Sequence, residues 1–193
     1  MFSGKEKVKI INKLMPLNRY GLLIRLVNEE DAEFIFNLRT DPSLARFIHK
    51  ISHEIKDQIK WIKEYKIREA HGMEFYFISI DPVNNEKQGV NRIYNFAGNT
   101  FELGSWIYSK KCDFTKSILG DIIVREIAFD YLQFDICVFE VRKQNKTVIN
   151  YHKRYHPEQI GENDLNVYFK LTKETFNKEK NIFLNLLGYG DNK

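Results

Sequence analysis

Apolar residues recur along this chain with two periods, about 2 and about 3.6 residues, and each stretch of constant period predicts one element. "YGLLIRLV", Tyr20 to Val27, is short and rich in β-favouring residues, so it predicts a strand. "NEEDAEFIFNLRTDP" follows as a helix. Asn28 can cap it, Glu29, Glu30 and Asp31 suit the positive end of its dipole, and Pro42 stops it. Ala32, Ile35, Phe36 and Leu38 supply its apolar positions. A second helix is predicted over Ser52 to Glu69, with Ser52 as cap, Ile55, Ile59 and Ile62 at helical spacing, and Trp61 and Tyr65 nearby. Three strand-like runs come next: "EFYFISI" (Glu74 to Ile80), "GVNRIYNF" (Gly89 to Phe96) and "TFELGSWIY" (Thr100 to Tyr108). Turn residues in "DPVNNEK" and "AGN" separate them, which predicts an antiparallel meander.

The second half alternates. Ser117 to Leu132 reads as a helix through Leu119, Ile122, Ile123, Ile127 and Tyr131. "ICVFEVR" (Ile136 to Arg142) is a strand, Asn145 to Tyr155 a shorter helix, and "EQIGE" with "NVYFKLT" a closing pair of strands. "KETFNKEKNIFLNLL" predicts a C-terminal helix. This order gives an α+β, mixed α/β domain with a parallel crossover only in its second half. The first 19 residues, basic and interrupted by Pro16, read as a loosely held N-terminal arm, leaving residues 20–193 as a single domain.

Composition narrows the function without naming it. A length of 193 residues suffices for one sizeable core, and 14% aromatic residues argue against disorder. The formal charge of +4 is mild and spread along the chain. It suits a small anionic ligand and does not single out nucleic acid. Cys112 and Cys137 have no metal-ligand spacing, and the five His residues form no HExxH or similar site, so no metal is expected. Without a signal-like start or a long apolar run, the sequence reads as cytoplasmic, with no membrane partner.

The chemistry centres on "SWIYSKKCDFTKSILGDIIVREIAF", Ser105 to Phe129, where a strand runs through a short loop into a helix N-terminus. Such a helix start is a common anion site, because its first backbone N–H groups have no intrahelical partner. The loop has no glycine, but Lys110, Lys111 and Lys116 supply charge. Thr115 and Ser117 are small hydroxyl residues that are alternatively ordinary helix caps.

The order of elements, together with "FELGSWIY", "EVRKQN" (Glu140 to Asn145), the "AF" at Ala128 and Phe129, and the "IG" strand, resembles the GNAT superfamily of acyl-CoA-dependent N-acetyltransferases. The resemblance covers residues 20–172 as an order of elements and is sharpest over residues 101–162. It implies a central twisted mixed sheet flanked by helices, with acetyl-CoA as co-substrate. Counted from "WIY", Cys112 falls at the family's basic or amide position, and Thr115 and Ser117 at its two glycine positions. The resemblance thus implies that Trp106, Ile107, Tyr108, Cys112, Phe114, Thr115, Lys116, Ser117, Ile118 and Asn145 hold the co-substrate, with an oxyanion donor in the backbone near Ile107 or Tyr108.

Amine acetylation needs a proton acceptor for the ammonium, a donor for the developing oxyanion and a proton donor for the leaving thiolate. Glu102, on the strand that leads to the loop, is the candidate base, or else an exposed strand residue. Strand parity places it on one face with Gly104 and Trp106, and Gly104 would leave room for substrate there. Where the family commonly has a tyrosine acid, this chain has His152, preceded by Tyr151. Either is the candidate acid, His152 having an ordinary pKa closer to neutral, or both are polar residues of a helix face. Flanking lysines would lower the pKa of Cys112, but no His stands at a suitable distance to make it a nucleophile.

The helical region after the first strand is similar to sugar-processing members that acetylate amino groups of nucleotide-linked sugars. It is also similar to members that acetylate protein N-termini, such as the ribosomal-protein modifiers. Arg39, Arg46, His49 and Arg92 are candidates to meet a diphosphate, with surface charge as the alternative. The acceptor is then a nucleotide-linked amino sugar, a protein N-terminus or another small amine. A GNAT-like module that binds acyl-CoA without turnover also fits, as do both a monomer and a homodimer.

Overall fold

The computed structural model describes residues 1–190. The first segment is not a loose arm. Helix α1 (Gly4–Leu14) is closed by a capping box, in which Ser3 accepts from the Glu6 N–H and Glu6 accepts from the Ser3 N–H. Its Ile11 is fully buried among the core residues. The alternating charges of the segment concealed one apolar stripe, and tertiary packing uses it.

Strands β1 (Leu17–Arg19) and β2 (Leu22–Leu26) form a hairpin. Asn28 and Asp31 make a reciprocal cap leading into α2 (Ala32–Thr40). Helix α3 (Ile55–Ala70) begins three residues beyond the expected Ser52 cap. The Ser52 hydroxyl instead accepts from the Glu54 N–H, at 3.2 Å. Strands β3 (Phe75–Ile80), β4 (Lys87–Ala97) and β5 (Thr100–Tyr108) form the antiparallel meander. Helix α4 (Phe114–Glu126) runs on through a π turn over Ile127–Tyr131. It is followed by β6 (Ile136–Arg142), α5 (Lys146–Lys153), β7 (Glu158–Glu162), β8 (Asn166–Thr172) and α6 (Lys173–Leu186).

The eight strands form one sheet in the order β1-β2-β3-β4-β5-β6-β8-β7, and its parallel pair is β5 with β6. Apolar side chains cover both faces. The larger cluster joins Phe101 and Leu103 to Ile122, Ile123 and Phe129 of the α4 segment and to Phe176 of α6. The smaller one joins Val90 and Ile107 to Ile35 and Leu38 of α2 and Ile62 and Tyr65 of α3. No helix among the described residues is long and apolar enough to cross a membrane.

Candidate active site

Strands β5 and β6 pair only at Thr100↔Ile136, Phe101↔Cys137 and Glu102↔Val138. Beyond Glu102 they part, and the backbone edges between them are left without each other as partners. The register of β5 also slips against β4, where Val90 pairs with Ile107 but Arg92 pairs with Gly104. Ser105 and Trp106 of β5 therefore oppose the single Asn91 of β4, and Ser105 takes up the extra residue at φ 52°. This bulge reverses the parity read from the sequence. Glu102 and Gly104 face α2 and α3, whereas Trp106 turns to the opposite face and donates from its indole N–H to the Ser117 carbonyl at 3.1 Å. Ile107 is buried in the α2–α3 cluster, so its side chain faces away from α4.

A cleft of about 460 Å³ opens on the α2–α3 face at this parting. Arg39, His49 and Arg92 line it, as the sequence suggested, while Arg46 is exposed and stacks on Phe47 instead. Arg92 is not free to meet a phosphate. It lies over Trp61 and Tyr94 and is paired with Glu74, which also holds Arg68. Glu102 accepts from the Tyr94 hydroxyl at 2.6 Å and from the Asn95 amide at 2.7 Å. Tyr94 lines the cleft, so Glu102 reaches the cavity through that phenol. Burial, then the bond to Glu102, pushes the Tyr94 pKa up, which keeps its proton in place. The room at Gly104 is already used, because a Cβ there would stand 2.9 Å from the Tyr94 hydroxyl.

The cleft wall also holds residues the sequence reading passed over. Glu140, on β6 beyond the parting, accepts from Asn166 at 2.7 Å and meets His49 Nε2 at 3.3 Å. It belongs to the "EVR" run that marked the family, and alternation with buried Phe139 and Val141 was the signal that would have aimed it at this face. Trp61, Tyr76, Ser105 and Arg142 complete the lining used below.

At the loop, the helix cap is neither Thr115 nor Ser117 but Asp113, whose carboxylate accepts from the Thr115 N–H at 2.7 Å. Ser117 is buried and donates to the Phe114 carbonyl, while Phe114 itself is exposed. Lys116 pairs with Asp81 at 2.5 Å and Lys110 with Asp41 at 2.6 Å. The start of α4 still offers first-turn N–H groups to a phosphate, but of the three nearby lysines Lys110 and Lys116 are held by carboxylates. Asp113 occupies part of that place with like charge. The Cys112 pKa is not lowered as expected: burial outweighs the lowering effect of Lys116 and pushes the thiol up to about 11. Tyr108 points beneath α4, its hydroxyl bonded to Ser79 and Asn91, and the bare Cα of Gly120 makes space for it. Ile118 is buried in the larger core cluster.

His152 and Tyr151 lie in a closed cluster on the α4 side. The Tyr151 hydroxyl donates to Asp121 at 2.7 Å, and the fully buried Arg125 donates to the same Asp121 oxygen at 3.0 Å. Arg125 also reaches His152 Nδ1 at 3.3 Å. A guanidinium only donates, so Nδ1 accepts and the ring proton belongs on Nε2. Burial, then the Arg125 charge, holds the His152 pKa well below its ordinary value. The expectation of a near-neutral pKa is therefore corrected: the ring is neutral where an acid would need an imidazolium. Burial and Asp121 push the Tyr151 pKa well up. Asn145 caps α5 through the Val148 N–H, at 3.3 Å.

The family profile of the acetyltransferase (GNAT) domain matches residues 21–156. Apo FdhC, described as a nucleotide-linked sugar GNAT, is similar in structure with a TM-score of 0.80 and 34% identity, over 90% of this chain and 99% of that one. The ribosomal-protein-S5-alanine acetyltransferase of Vibrio fischeri shares the fold at 13% identity and a TM-score of 0.70, over 82% and 96% of the two chains. Spermidine N-acetyltransferase of Vibrio cholerae, solved with CoA and spermine, does so at 14% identity and 0.68, over 82% and 99%. No curated protein matches the chain. With a parallel strand pair that parts at a bulge, a helix N-terminus beside it, and a profile match over most of its length, this chain belongs to the GNAT acetyltransferase family and is an acetyl-CoA-dependent acetyltransferase.

Proposed function

We propose that the acceptor is the amino group of a nucleotide-linked amino sugar. The observation that carries this reading is the 34% identity, along nearly the whole chain, to a nucleotide-linked sugar GNAT. The cleft supports it. Trp61, Tyr76 and Tyr94 offer aromatic faces for a sugar or base, and Arg39 and Arg142 pair with no carboxylate among the described residues. A polyamine would call for a mainly acidic wall, and this wall carries three arginines against Asp57 and Glu140.

In this reading the acceptor enters from the α2–α3 face. Glu102, working through Tyr94, takes the ammonium proton, and Glu140 with His49 orients the amine from across the parting. Acetyl-CoA supplies the activated acetyl group. The first turn of α4 with Lys110, Lys111, Thr115 and Lys116 would hold its phosphates, with Trp106, Ile107, Tyr108, Cys112, Phe114 and Asn145 framing the parting, while Ser117 and Ile118 support the helix start from the core. Backbone N–H groups of β5 past the bulge stabilise the oxyanion. His152, as a neutral Nε2–H donor whose Nδ1 is held by Arg125, offers the leaving sulfur a hydrogen bond, and Tyr151 holds Asp121 beside that arginine. The test is turnover of acetyl-CoA with a panel of nucleotide-linked amino sugars against N-terminal peptides and spermidine. Turnover confined to the sugars is expected, and turnover confined to peptides or spermidine overturns the reading.

A further inference from the structure

Helix α3 buries one stripe of side chains against the sheet: Gln58, Ile62, Tyr65 and Glu69. Three of them serve the fold. Ile62 belongs to the smaller apolar cluster, the Tyr65 hydroxyl accepts from the Tyr76 N–H at 2.9 Å, and Glu69 is bonded to Tyr65 and Lys66. Gln58 differs. It is only 6% exposed, yet its amide has no hydrogen-bond partner among the described residues. It lines the cleft, and its amide atoms are not sealed from that space. An apolar side chain would suit this stripe better, because an unpaired amide in an interior weakens a fold. The helix carries this amide towards the parting of β5 and β6. Trp61, one turn further along α3, lies against the Arg92 guanidinium of β4, and Tyr65, a turn beyond, reaches the backbone of β3. A helical turn of about 5.4 Å nearly matches the spacing of neighbouring strands, so one turn back from Trp61 lies β5. There Gly104 pairs with Arg92, and Gly104, Ser105 and Glu140 share the cleft wall with Gln58.

We propose that Gln58 is a catalytic residue on the acceptor side, whose carbonyl oxygen accepts a hydrogen bond from the attacking amine and aims the nitrogen lone pair into the parting. A neutral primary amine carries two N–H groups and one lone pair. The lone pair forms the bond to the thioester carbon in the parting, which leaves the N–H groups facing β6 and α3. Glu140 accepts one and Gln58 the other. The nitrogen gains positive charge as the new bond forms, so both hydrogen bonds strengthen in the transition state, where they raise the rate. Unlike a carboxylate, the amide is uncharged and does not favour the unreactive ammonium form. The proposal rests on entry of the acceptor from the α2–α3 face and on no particular amine.

The test uses the full chain, acetyl-CoA and whichever amine of the panel wild type turns over fastest, be it nucleotide sugar, peptide or spermidine. The amino-sugar reading can therefore fail while this one stands. Gln58→Met keeps the volume and removes the amide, and is expected to lower kcat/KM for the amine about 10–100-fold. Because no protein partner is lost, its melting temperature should be no lower than that of wild type, and its affinity for acetyl-CoA should stay within about twofold. Gln58→Glu restores an accepting oxygen but favours the ammonium. It is expected to regain most of the lost rate at high pH, with the rising limb of its pH–kcat profile displaced upward by about one unit or more. Gln58→Met within about threefold of wild type, an equal loss of acetyl-CoA affinity or melting temperature, Gln58→Glu no better than Gln58→Met at any pH, or turnover of no amine by wild type overturns the proposal.

Discussion

Two clusters of aromatic and polar side chains flank the same strand, β5. On one side, Asp121, Arg125, Tyr151, His152 and Tyr155 are buried and bonded mainly to one another. On the other, Arg39, Tyr76, Tyr94 and Glu140 line an open cleft, which Glu102 reaches through Tyr94. Their compositions are similar, and what distinguishes them is where the hydrogen bonds end. In the closed cluster the exception is Asp121 Oδ1, on a carboxylate whose other oxygen already serves Arg125 and Tyr151. Satisfied polar groups in a core specify its packing, whereas groups that line a cavity keep bonding capacity for a ligand.

Removing a charge from each side sharpens this contrast most. Arg125→Leu leaves Asp121 buried without its partner and is expected to cost about 3–5 kcal/mol in urea unfolding. A loss below about 1 kcal/mol would mean that the closed cluster is not structural. Glu102→Gln keeps the shape and can still accept from Tyr94, so its stability should stay within about 0.5 kcal/mol of wild type. Its kcat is expected to fall about 100-fold or more in steady-state assays, because the proton acceptor is lost. Equal damage to melting and turnover would erase the distinction between the two clusters.

The pH dependence of unfolding tests the closed side further. The folded His152 pKa is depressed, so the unfolded chain binds a proton that the native state refuses as pH falls below about 6.5. The stability that the neutral ring contributes is complete above that value and is lost as pH falls towards the folded pKa. His152→Phe should therefore flatten the stability profile below pH ~6.5 by up to about 1.4 kcal/mol per unit. An unchanged slope would place a charged ring in the native core. The smallest effect concerns the α4 start. Asp113→Asn keeps the cap and removes a negative charge where phosphate would sit, so acetyl-CoA should bind about 2–5-fold tighter at low salt, with the gain shrinking as salt rises. Calorimetric titration at two ionic strengths reads both quantities.

Much of the fold was legible because local signals agreed with the global answer. The meander from Glu74 to Tyr108, the crossover into Ile136–Arg142 and the C-terminal helix follow from periodicity and turn residues. Helix α1 was missed because its stripe of apolar residues is thin and its lysines dominate the composition. The cap of α3 moved two residues, from Ser52 to Glu54, and that of α4 two or four, from Thr115 or Ser117 to Asp113, because several residues in each loop suit a helix start and only the folded loop selects the boundary.

By itself the sequence determined the class of fold and the family, because those depend on the order of elements and on short runs such as "EVRKQN". It singled out Arg39, His49 and Arg92, and all three line the cleft. Which of those groups are free was decided only by tertiary structure. The bulge at Ser105 sets which face Trp106 occupies, Glu74 neutralises Arg92, and burial beside Arg125 strips His152 of its charge. Each of these depends on what stands within a few ångströms in space, and residues 18 and 27 positions away supply the partners of Arg92 and His152. A one-dimensional pattern carries the period of a strand but neither the slip of its register nor the partner that reaches a charge first.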